Sequence, residues 1–183
     1  MKHFFTNISY LKCSLISGIG VGIAYLPIYL GFFAYFSFVP LFYAWSQNNY
    51  KKNFLGGYTF GLVYNLISNY WIGMNSGATV TVVIFSLICA ITYLSIFWGV
   101  GGLLIGLIND RKVRYFAMPF LIVSLEWIRS FGPLGFSWGN LALTQSQFLI
   151  ILQHMDYGGS YIIALWICII NSLICYSLFE KTL

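Results

Sequence analysis

Six long apolar runs take up most of this chain, at about residues 13–30, 31–46, 54–74, 79–108, 115–131 and 158–179. Each approaches the roughly 20 residues that an α-helix needs to cross the hydrocarbon core of a bilayer. Between them little polar sequence is left. Of the 183 residues, 60% are hydrophobic and only 7% are charged, against roughly 25% charged in a soluble domain. A water-soluble globule of this size has no means of hiding so much hydrocarbon, because surface falls only slowly with mass. The sequence therefore predicts an all-α membrane protein, a bundle of about six transmembrane helices forming one domain over 1–183.

The basic residues give this bundle a direction. Lys2 and Lys12 precede the first run, and Lys51 and Lys52 separate the second from the third. Arg111, Lys112 and Arg114 separate the fourth from the fifth, and Lys181 follows the sixth. With six spans and a cytoplasmic N-terminus, all of these lie on the cytoplasmic side and Arg129 alone lies outside, as the positive-inside rule requires. Both termini are then cytoplasmic. A net charge of +5 spread in this way makes no basic patch, so no nucleic-acid partner is expected. The first run lacks a small-x-small cleavage pattern and reads as a retained span rather than a signal peptide. The sequon Asn7-Ile8-Ser9 falls on the cytoplasmic side, where it is not used.

Within the apolar runs a few residues stand out. Gly18 and Gly22, Gly57 and Gly61, and Gly102 and Gly106 are small-xxx-small pairs that let helices approach closely in lipid. Asn65, Ser68 and Asn69 share one face of the third span. They either line a polar cleft or bond neighbouring helices. Glu126 and Arg129 share a face near the outer end of the fifth span. A charge in hydrocarbon is costly, so the two form either a headgroup or substrate site or an ion pair anchoring the helix end. A loop at about 132–157, rich in glycine and containing Trp138 and Gln145, lies on the outer face. Trp127, Trp138 and Trp166 fit a belt of interfacial aromatics. His154 beside Asp156 is a weak acid–base signal. Cys13, Cys89, Cys168 and Cys175 sit in apolar sequence with no CxxC and read as small buried hydrophobes. No metal or cofactor is indicated. No catalytic set is complete, since no cysteine has a base and an oxyanion donor beside it.

The order of motifs resembles a known family. Leu125-Glu126-Trp127-Ile128-Arg129 is followed by Gly135-Phe136-Ser137-Trp138, then Gln145, then Gly158 opening an apolar span. Phe38-Val39-Pro40-Leu41 and Asn69-Tyr70-Trp71-Ile72 precede them in matching order. This is similar to the membrane portion of the apolipoprotein N-acyltransferases. The resemblance implies a bacterial cytoplasmic-membrane protein in a family that moves an acyl chain from phospholipid to the amino-terminal cysteine of a lipoprotein. It implies a periplasmic nitrilase-like domain that reacts through a Glu-Lys-Cys triad. No residue here matches that triad, so the chain is expected to be a truncated form, or one whose partner supplies the chemistry. Ser137 stands where the family usually has Pro, and Ala142-Leu143 where it has a Gly-Tyr-like pair. Glu126, Arg129, Trp138 and Gln145 are expected to form a floor at the outer leaflet that meets phospholipid or lipoprotein. Two further readings remain open: a non-enzymatic membrane scaffold that binds lipid or a partner, and a small permease built on the third span.

Overall fold

A computed structural model describes residues 9–180. Lys2, Lys181 and Asn7 of the sequon lie outside the described residues. Nine α-helices are found among the described residues: α1 (Tyr10–Ala24), α2 (Ala34–Ser37), α3 (Val39–Gln47), α4 (Tyr50–Ser68), α5 (Val80–Leu107), α6 (Arg111–Arg129), α7 (Leu149–Leu152), α8 (Met155–Gly158) and α9 (Ser160–Phe179). Short 3-10 turns cover Gly31–Phe33, Tyr70–Met74 and Leu141–Gln145, and no strand occurs among the described residues. Among the described residues two helices, α5 and α9, are by themselves long and apolar enough to cross a membrane. With 28 residues, α5 is about 42 Å long at 1.5 Å per residue, more than the roughly 30 Å of a bilayer core.

The helix starts follow from side chains that take up free backbone N–H groups. Ser9 accepts from Leu11 at α1, Asn49 from Lys52 at α4, and Asp110 from Lys112 and Val113 at α6. Helix α1 stops at Ala24, short of the expected residue 30. Pro27 disfavours helical geometry at the preceding residue, and Tyr29 turns the chain with φ at 58°.

The glycine pairs set the helix contacts. A Cβ on Gly18 or Gly22 would come within 2.9 Å of Val63 or 2.7 Å of Ile67, so α1 and α4 lie side by side and run the same way. A Cβ on Gly57 would strike the Trp98 carbonyl, and one on Gly102 the Asn53 carbonyl, so α4 and α5 run oppositely. Each pair lies within the molecule at a helix–helix contact. This register gathers Lys12, Lys51, Lys52, Arg111 and Lys112 at one end, hereafter the basic end. The Gly135–Gln145 segment lies at the other, the loop end.

The second apolar run is a broken helix. Pro40, at the second position of α3, offers no N–H and disrupts the turn before it. The freed backbone groups are bonded by other helices. Asn171 of α9 accepts from Phe38 N at 3.0 Å and donates to Ala34 O at 2.7 Å. Those two atoms would otherwise bond each other in a continuous helix. Ser17 of α1 accepts from Leu41 N at 2.9 Å. Similarly, Pro119 inside α6 frees the Tyr115 carbonyl, and the Ser172 hydroxyl donates to it. Irregular backbone in an apolar interior survives only when bonded in this way.

Phe38 stacks on Trp98 and meets Phe60 at 5.4 Å between ring centroids, so the break sits in the aromatic core. At the basic end Arg114 is buried. Its guanidinium donates to the carbonyls of Trp45, Ser46, Asn48, Gly106 and Ile108. These close the C-terminal ends of α3 and α5, where a cation meets the negative end of the helix dipole.

Candidate functional site at the loop end

The last turn of α6 faces inward and carries both Glu126 and Arg129, exposed by only 4% and 3%. Glu126 Oε1 and Arg129 Nη2 are 3.9 Å apart. Each is also bonded to the backbone of the following loop. Glu126 Oε1 accepts from Leu141 N at 3.0 Å, and Arg129 Nη2 donates to Gly139 O at 2.8 Å. The Tyr25 and Tyr64 hydroxyls reach the same carbonyl at 2.9 and 2.8 Å and lie 3.1 Å from each other. A carbonyl has two lone pairs, so three donors crowd Gly139 O and hold the Trp138–Leu141 segment on α1, α4 and α6 together.

The rest of the loop is fixed by local chemistry. Gly132, with φ at 83°, turns the chain out of α6, in a region that favours glycine. Phe136 N then returns to Arg129 O at 2.9 Å. Asn140 caps the 3-10 turn by accepting from Ala142 N at 2.9 Å. Gln145 is fully buried. Its Nε2 donates to Gly31 O at 2.8 Å and to Thr144 Oγ1 at 2.8 Å, tying the loop to the turn after α1.

Trp138 differs from the other three expected site residues. It is 68% exposed and meets Trp71 at 6.1 Å between ring centroids. The two tryptophans, with Tyr25, Leu26, Ile67 and Ser68, line a cleft of about 290 Å³. The structure therefore brings Glu126 and Arg129 together beneath the loop, seats Gln145 on its far side, and leaves Trp138 on top.

The expected polar face of the third span is split. Asn65 of α4 and Asn69 at its C-terminal end are buried; Asn65 donates to Gly61 O and Asn69 donates to Asn65 Oδ1. Ser68 lines the cleft, and its buried hydroxyl has no protein partner. His154, in the turn between α7 and α8, and Asp156, in α8, are exposed, and His154 Nδ1 lies 3.2 Å from Ile151 O. Cys13, Cys168 and Cys175 are buried and Cys89 is exposed, all as free thiols. No group of three metal-ligating side chains occurs among the described residues. Sequence reasoning missed Tyr25, Tyr64 and Asn171. A tyrosine or asparagine in an apolar run gives no sign of which backbone carbonyl it will find.

Among the described residues the chain is an all-helical domain with two helices long and apolar enough to cross a membrane and a buried ion pair gripping a tryptophan-bearing loop. Residues 17–173 match the family described as the apolipoprotein N-acyltransferase N-terminal domain, and the chain belongs to that family. It is 28% identical over 163 residues to the apolipoprotein N-acyltransferase of Geobacter metallireducens, covering 83% of this chain and 31% of that protein. To the apolipoprotein N-acyltransferase of Borreliella burgdorferi it is 27% identical over 160 residues, covering 83% of this chain and 28% of the relative. The chain thus spans less than a third of the length of the curated relatives it matches.

Proposed function

We propose that this chain is the membrane module of an apolipoprotein N-acyltransferase, in a reaction that passes an acyl chain from phospholipid to the N-terminus of a lipoprotein. In this reading it spans the bacterial cytoplasmic membrane six times with both termini cytoplasmic, and the loop end is the outer face. The gathering of basic residues opposite the loop supports that orientation. Impermeant maleimide on single-cysteine variants in a cysteine-free background tests it: Ser137→Cys reacts from outside, and Lys112→Cys does not.

The observation that carries the functional reading is the family match over 17–173, together with the loop held beneath Trp138. Trp138, Trp71 and the cleft between α1 and α4 form the surface that lipid or lipoprotein meets. Glu126, Arg129 and Gln145 contribute through the loop they hold rather than by touching substrate. The nucleophile, its base and its lysine belong to a nitrilase-like domain, in a continuation of the chain or in a separate protein. A chimera tests this. Residues 17–173 replace the matching domain of the Geobacter metallireducens relative, and acyl transfer to a diacylated lipopeptide is followed by mass spectrometry. Retained transfer is expected. A chimera that inserts and folds but transfers nothing overturns the reading in favour of a non-enzymatic scaffold.

A further inference from the structure

Three buried polar atoms without a protein partner belong to residues around one point: Trp98 Nε1 of α5, and Glu126 Oε2 and Arg129 Nε of α6. All three residues line a single small pocket of about 10 Å³, together with Phe97, Ile122 and Leu125. A space of about this size holds one water. Leaving such groups unbonded in an apolar interior is costly, most of all for the two charged ones.

The polar groups match a water and discriminate against ions. Two are donors, the indole N–H and the guanidinium Nε–H, and one is a carboxylate acceptor. A water accepts from both donors and gives a hydrogen to Glu126 Oε2, making the roughly three hydrogen bonds usual for a buried water. A cation would face Arg129, and an anion would face Glu126.

We propose that a single structural water occupies this cavity and bridges Trp98 Nε1, Arg129 Nε and Glu126 Oε2. The water extends the grip on the loop across to α5. Trp98 stacks on Phe38 at the helix break and meets Phe60 edge-on, so the bridge joins the loop to the aromatic core.

The test is solution NMR of the whole chain with ¹⁵N-labelled tryptophan in deuterated lipid. The Trp98 indole N–H is expected to show a cross-peak to a bound water, and Trp98→Phe should remove both the resonance and the cross-peak. Should that variant fail to fold, a crystal structure at about 2 Å supplies the second measurement. It should contain one peak at hydrogen-bond distance, about 2.7–3.2 Å, from all three atoms. A Trp98 indole that sees only side-chain or acyl protons overturns the proposal. So does density in which Glu126 Oε2 closes directly on Arg129 Nε.

Discussion

Exchanging Glu126 and Arg129 for each other separates two accounts of why the pair is there. If the pair works only by mutual attraction, E126R/R129E keeps that attraction. The gross Coulomb term at 3.9 Å is about 4 kcal/mol near a protein surface, whichever position carries which sign. The loop bonds are directional. Position 126 faces the Leu141 N–H donor, and position 129 faces the Gly139 carbonyl acceptor. After the exchange a donor meets a donor and an acceptor meets an acceptor. Two charge-assisted bonds, each worth roughly 1.5–3 kcal/mol, are lost, so the exchange costs about 3–6 kcal/mol. Each single change, Glu126→Leu or Arg129→Leu, leaves a buried charge without its partner at a cost of about 3–5 kcal/mol. In a chain of this size these losses lower the melting temperature by on the order of 10 °C. Thermal unfolding in detergent, with proteolysis of the 130–148 segment as the local readout, gives the comparison. The double exchange should melt no higher than the single variants and should expose the loop to cleavage. Recovery of most of the lost stability in the double exchange would refute the directional account.

Other perturbations probe the frame around the loop. Gly57→Ala sets a methyl against the Trp98 carbonyl and should destabilise by about 1–3 kcal/mol despite better helix propensity, whereas Gly158→Ala, with no neighbour nearer than 3.5 Å, should be near neutral by the same melt. Asn171→Leu removes the amide that separates Phe38 N from Ala34 O; we expect a loss of about 2–4 kcal/mol, with slower amide exchange at Phe38 if the helix heals by closing the direct bond. Arg114→Lys replaces a fork that spans five carbonyls with a single ammonium and should cost on the order of 2–4 kcal/mol in a chemical-denaturation series.

Much of the helical layout is legible in the sequence because hydrocarbon has few options. Apolar runs of membrane length must satisfy their own backbone, and the runs at 79–108 and 158–179 became α5 and α9 almost to the residue. The glycine pairs were legible for a related reason, since close helix approach leaves no room for any other side chain. The breaks were less so. Pro40 marks a place where a helix falters, but the repair comes from Asn171, more than a hundred residues away. In the candidate site, the i,i+3 spacing of Glu126 and Arg129 announced a shared face. Their partners were hidden, because Gly139 O and Leu141 N are backbone atoms that every residue carries. Nothing in the sequence pairs Trp138 with Trp71; the two rings meet because α4 ends beside the loop.

The division of labour at the loop end is the central claim, and one variant tests it most directly. Trp138 is 68% exposed, so Trp138→Ala should leave stability within about 0.5 kcal/mol of the parent. In the chimera with the Geobacter metallireducens relative, acyl transfer to lipopeptide should nonetheless fall by about tenfold or more, the loss of one aromatic contact worth about 1.4 kcal/mol or more. Transfer at the parental rate, from a Trp138→Ala chimera of parental abundance and melting temperature, would contradict the account.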